Sequence, residues 1–157
     1  MNHKSLFFKY VIPSIIAFAL SGIYAIVDGY FVGNTIGDAG LSAINIAYPI
    51  DALIQALGTG IGMGGAVYYS INAAEKKGKR AEEFIATSWW LLVIVSVIST
   101  IIIYSFSSKI LGLLGADGII LTNATDYIKI IALGAILQIL GTGMMPFIRN
   151  YGNSFWS

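Results

Sequence analysis

The chain contains no cysteine, a single histidine at position 3, three prolines, and charge on only 11% of its residues. Without cysteine there is neither a disulfide framework nor a thiolate metal site, and the compartment stays undetermined because membrane helices need neither. One terminal histidine with no nucleophile and base arranged around it argues against an enzyme. The formal net charge of +1 leaves no basic field to attract nucleic acid.

What fills the space is apolar. Hydrophobic residues make up 57% of the chain and the mean hydropathy is +0.79, well above an average soluble domain. About 18 uncharged residues separate Lys9 from Asp28, about 23 separate Asp51 from Glu75, about 25 separate Glu83 from Lys109, and about 19 separate Lys129 from Arg149. Each run approaches or exceeds the roughly 20 residues needed to cross hydrocarbon. Four such runs leave too little polar surface to coat a soluble globule. The sequence therefore predicts an all-α polytopic membrane protein with four transmembrane helices, over about 9–33, 41–73, 84–107 and 122–148. The apolar start of the first helix continues past Val27, which argues against a cleaved signal peptide.

Orientation follows the positive charges. An inside N-terminus gathers Lys4, Lys9, Lys76, Lys77, Lys79, Arg80 and Arg149 on the cytoplasmic side and leaves Lys109 and Lys129 outside. The expectation is a multi-pass protein of the cell (inner or plasma) membrane with a cytoplasmic N-terminus. Trp89 and Trp90 anchor the third helix at the interface. Glu75 to Glu83 reads as a solvated loop that fixes topology, and Lys129 as a residue that snorkels or pairs with Asp126. Asn123-Ala-Thr125 matches a glycosylation sequon, a weak signal at a helix start.

Within the spans, polar residues fall into stripes. At 3.6 residues per turn Ser21, Tyr24 and Asp28 share one side of the first helix, with Tyr24 and Ser21 placed to donate hydrogen bonds to the carboxylate. A carboxylate in hydrocarbon is costly, so an intramembrane acid belongs against a bundle interior or a wet cavity. Asp28 lies about 8 Å below the predicted helix end, counting 1.5 Å per residue, which favours function over capping of the link. Pro13 removes a helical hydrogen bond and marks either a hinge or a tolerated early kink. On the second helix Tyr48, Asp51, Gln55, Thr59 and Gly62 form a stripe directed inward, with Asp51 about 8 Å deeper than Asp28 and Pro49 beside it. Gly58/Gly62 and Gly60/Gly64 have the spacing that lets helix backbones approach closely. On the fourth helix Gly134, Gln138, Gly141 and Thr142 share one side.

Three strings in order, Pro13 through Ile26-Val-Asp28-Gly-Tyr-Phe-Val-Gly33, then Ala43-Ile-Asn-Ile-Ala-Tyr-Pro49 with Gly58 to Gly65, then Met145-Pro-Phe-Ile-Arg149-Asn-Tyr-Gly152, resemble the N-terminal third of a multidrug and toxic compound extrusion (MATE) transporter. The resemblance implies a twelve-helix fold of two six-helix lobes, of which this chain is the N-terminal part of one lobe. A fifth helix would begin near residue 154. It further implies secondary active efflux of cationic or amphipathic compounds in exchange for protons or sodium. Asp28 then occupies the position of the ion-coupling acid, with a possible sodium ion there and no other metal, and Pro13 matches the bending proline. Ser21 and Tyr24 support that acid, and Tyr48, Asp51, Gln55, Thr59 and Gln138 are candidates to line the cavity. Asp51 matches no family position. No cofactor beyond the coupling ion is expected. The partners implied are a drug-like small molecule, the bilayer and the remaining helices, with no nucleic acid. Three other readings stay open at this point: a complete four-helix oligomeric efflux pump, a lipid-linked precursor flippase, and a membrane helical module that does not transport.

Overall fold

The computed structural model describes residues 3–150; residues 1, 2 and 151–157, and the side chains at positions 3–10, 13, 14, 17, 18, 21 and 25, fall outside the described set. The Pro13 and Ser21 side chains and the expected fifth-helix start therefore lie outside the described residues. The described chain is four helices: α1 His3–Thr35, α2 Asp38–Ala74, α3 Gly78–Leu113 and α4 Gly118–Asn150. All four run past the limits that hydropathy suggests. Charge and glycine mark where a segment leaves hydrocarbon, whereas the backbone hydrogen-bond ladder continues into the interface until a turn stops it. Among the described residues α2, α3 and α4 are each long and apolar enough to cross a membrane.

The helix ends show what stops the ladder. After α3 the amide of Ala116 donates to Leu111 at 3.0 Å and that of Gly115 to Gly112 at 3.1 Å, with Gly115 at φ 96°. This is a Schellman cap, which needs a left-handed residue; Leu111 and Ala116 are both buried beside it. The end of α2 repeats the pattern, Lys77 donating to Asn72 at 2.9 Å and Lys76 to Ala73 at 3.1 Å, with Lys76 in the left-handed position at φ 58°. A side chain there is strained by about 1 kcal/mol. Lys76→Gly should therefore stabilise the chain by about 0.5–1 kcal/mol, and Gly115→Ala should destabilise it by about as much. Thermal midpoints in detergent that move in the same direction would refute this account. In the same loop the Lys77 ammonium, 2.6 Å from Glu75, holds that carboxyl below its ordinary value. Both side chains are exposed, so the pair contributes little.

α2, α3 and α4 form one packed unit. Their buried stripes recur every three or four residues: Ala43, Ala47, Ile50, Ile54, Gly58, Gly62 and Ala66 on α2; Ser88, Leu92, Ser96 and Ile103 on α3; Ala124, Ile128, Ala132, Ala135, Ile139, Gly143 and Phe147 on α4. Small residues dominate because association in lipid relies on close van der Waals fit rather than on escape from water. The expected Gly58/Gly62 pair is buried against α4. A Cβ on Gly58 would meet Thr142 and, at 2.8 Å, the Ile139 carbonyl; one on Gly62 would run into the Gly143 backbone. Gly60 and Gly64, with the same spacing, face no described atom within 4 Å, so on them the sequence spacing does not report a contact. Buried Ser96 and Ser107 bond back to their own helix, to the carbonyls of Val93 at 2.9 Å and Tyr104 at 3.4 Å.

α1 differs. Among the described residues it meets the other helices chiefly at the link, where Gly33 packs on Leu41 and Gly40 sits against Val32 and Ile36. Gly37, at φ 75° and ψ −156°, makes that link possible in a region closed to residues with a Cβ. Below it α1 and α2 stand apart and enclose a cavity.

Two sequence features of α4 are placed by the structure. Lys129 makes no ion pair with Asp126, the only such pair among the described residues being Lys77 with Glu75. The sequon at Asn123 lies inside α4 with Thr125 buried, a poor acceptor for a glycan.

Candidate functional site

The cavity between α1 and α2 has a volume of about 690 Å³, and its wall includes Tyr24, Asp28, Asn45, Tyr48, Asp51, Gln55 and Tyr127. A second cavity of about 350 Å³ adjoins it toward α4, walled by Tyr24, Asp51, Gln55, Tyr127, Ile131, Gly134 and Gln138. The larger lies within the ~300–1,000 Å³ typical of small-molecule sites. Among the described residues no lysine or arginine lines either one.

Helical periodicity places these residues. Leu20, Tyr24 and Asp28 descend one side of α1 at intervals of four, and Leu41, Asn45, Tyr48, Asp51 and Gln55 follow steps of three or four on α2. Tyr127, Ile131, Gly134 and Gln138 do the same on α4. On α2 the polar stripe sits one residue on from the buried stripe Ala47, Ile50 and Ile54, about 100° further round the helix. That offset lets one helix pack on α4 and face the cavity at once.

Asp28 and Asp51 are both half-buried but held differently. Asp28 accepts no hydrogen bond from any described residue, so the expected donation from Tyr24 is absent; Ser21 is outside the described set. Asp51 is held on both oxygens: Gln55 Nε2 donates to Oδ2 at 3.3 Å from one turn on, and Gln138 Nε2 donates to Oδ1 at 3.1 Å from α4. About 20 Å inside the start of α2, counting 1.5 Å per residue, Asp51 ties two helices together at the wall shared by both cavities. Pro49 lacks an amide proton and so leaves the Asn45 carbonyl without its helical donor.

Of the sequence candidates, Tyr24, Asp28, Tyr48, Asp51, Gln55 and Gln138 come together here. Thr59 is exposed and lines neither cavity, because beyond Gln55 the α2 interior is taken over by glycines that close on α4. Gly62 likewise belongs to the packing stripe rather than the polar one. Asn45 and Tyr127 were not singled out by sequence. Stepping back seven residues from Gly134, on its own stripe, reaches Tyr127, so periodicity carried the signal.

Helices long and apolar enough to cross a membrane, around a cavity walled by two carboxylates and three tyrosines, define a polytopic membrane protein with an internal polar cavity. The MatE family model matches residues 13–157, and the chain belongs to the MatE family. It is 33% identical over 95% of its length to the multidrug export protein MepA of Staphylococcus saprophyticus, and 30% identical over 90% to that of Staphylococcus haemolyticus. It covers 34% and 31% of those proteins, so the chain spans about a third of the length of the curated relatives it matches. A solved structure described as protein A superposes on 99% of the chain with a TM-score of 0.91 at 26% identity, the chain covering 35% of it.

Proposed function

We propose that this chain forms the N-terminal part of a secondary transporter that exports cationic or amphipathic drug-like compounds in exchange for protons or sodium ions. The observation that carries the reading is the cavity of about 690 Å³ with Asp28 and Asp51 in its wall and, among the described residues, no cationic side chain lining it. Carboxylates at that depth suit a path for cations, and the similar proteins are multidrug export proteins by name.

In this reading Asp28 takes and releases the coupling ion. No described residue donates to it, which leaves the carboxylate open to a proton or to sodium. Loading it biases α1 relative to α2, a shift of population toward the state that binds the ion better. The N-terminus lies in the cytoplasm of a cell with the chain in its plasma membrane, as the distribution of lysine and arginine favours. The exposed apolar faces of α1 meet lipid and the remaining helices of the transporter. No chemical group is made or broken, and no cofactor beyond the ion takes part.

The test is the full-length transporter in sealed vesicles loaded with ethidium. An imposed proton or sodium gradient should drive ethidium across the membrane, and its collapse by an ionophore should stop the movement. Ethidium flux indifferent to both gradients would reject the proposal.

A further inference from the structure

The two carboxylates of the cavity differ in one respect that bears on what each can bind. Asp28 accepts no hydrogen bond from a described residue, whereas Asp51 has an amide donor on each oxygen, at 3.3 Å from Gln55 and 3.1 Å from Gln138. Those donors come from two helices, so they fix the direction of the carboxylate as well as satisfying it. A carboxylate has about four lone-pair sites, so one donor on each oxygen leaves the negative charge in place and accessible.

Three aromatic rings share the wall with it. Tyr24 and Tyr127 border both cavities and Tyr48 the larger one. Tyrosine faces attract cations within about 6 Å, most strongly when water is excluded. The combination suits one chemical class. An organic cation whose charge is shielded by carbon, such as a quaternary ammonium or a phosphonium, brings no hydrogen-bond donor. It is attracted by charge alone and satisfies no lone pair, so a carboxylate already supplied with donors and held in direction, beside ring faces, suits it.

We propose that Asp51, positioned by Gln55 and Gln138, is the counter-charge for the cationic group of a donor-less organic cation bound among Tyr24, Tyr48 and Tyr127. Asp51 is then a specificity-determining residue, and Gln138 a positioning residue that sets the aim of the carboxylate from α4. The inference rests on the drug-export reading above and adds to it a division of labour, with the coupling ion at Asp28 and the substrate charge at Asp51. The glutamine amides can rotate to present oxygen instead of nitrogen, so the isosteric Asp51→Asn keeps both hydrogen bonds while losing the charge.

The experiment measures equilibrium binding of tetraphenylphosphonium to the purified full-length transporter in detergent. Asp51→Asn should raise Kd about tenfold or more, the effect of removing one opposite charge from a partly desolvated site. Asp51→Glu, which keeps the charge, should stay within about threefold of the wild type. Gln138→Leu should weaken binding by an intermediate factor. An unchanged Kd in Asp51→Asn overturns the inference alone. So does a loss in Asp28→Asn as large as that in Asp51→Asn. A wild-type transporter that binds no tetraphenylphosphonium overturns this inference, and the drug-export reading falls with it only if ethidium flux is also indifferent to both gradients. Should Asp51→Asn not fold, the comparison of Asp51→Glu with Gln138→Leu decides: equal affinities to the wild type in both would reject the role.

Discussion

Asp28→Asn should reduce gradient-driven ethidium export by the full-length transporter about a hundredfold, the scale on which loss of a proton-transferring group commonly acts. An asparagine amide is nearly the same size as the carboxylate but neither takes up a proton at physiological pH nor supplies a negative charge to sodium. Because no described residue donates to Asp28, the substitution breaks no hydrogen bond seen in the structure, and the protein should retain its fold and its thermal midpoint. The loss should therefore appear as uncoupling: substrate still binds, but an imposed gradient no longer moves it. Export that remains ion-driven in this variant would remove Asp28 from the mechanism. Equal losses of export and of folded protein would instead make the residue structural.

Gly62→Ala should have the largest effect on stability, lowering it by at least about 3 kcal/mol, at the upper end of overpacking costs. The added methyl would lie 2.6 Å from the Gly143 carbonyl carbon and Cα as well as against its oxygen. These are backbone atoms, and no rotamer change relieves them; α2 and α4 would have to separate, breaking the fit of Ile54, Ile139 and Phe147 nearby. Gly64→Ala, two residues on, meets no described atom within 4 Å. It should be neutral or stabilise slightly, since alanine is the better helix former by about 1 kcal/mol. Thermal unfolding of the two variants in detergent makes the comparison. Equal midpoints would mean that the contact of Gly62 with α4 does not contribute to stability.

That comparison also indicates how far the sequence could be read. Charge-free runs and the placement of Lys and Arg located four helices because the bilayer imposes its thickness on composition. They underestimated every helix because backbone hydrogen bonding does not end where hydropathy does, as the caps at Lys76 and Gly115 show. The polar stripes placed Tyr24, Asp28, Tyr48, Asp51 and Gln55 together because periodicity within a helix is geometry that the sequence contains. Partners across helices were not legible in the same way. Nothing local distinguishes Gly62 from Gly64, or announces that Gln138 reaches Asp51 from 87 residues away; those depend on how α4 is rotated against α2. Thr59 misleads for the same reason. It continues the stripe numerically, but the helix surface at its level has turned toward packing rather than toward the cavity.

The contrast between the glycine-sealed seam of α2 and α4 and the sparse contacts of α1 has a geometric consequence for any guest. One side of the chamber is a fixed plate, its spacing set by main chain on main chain, while the opposite side is a strut fastened near Gly33, Gly37 and Gly40. Among the described residues, the wall that carries Asp51 therefore keeps its shape independently of where α1 is placed.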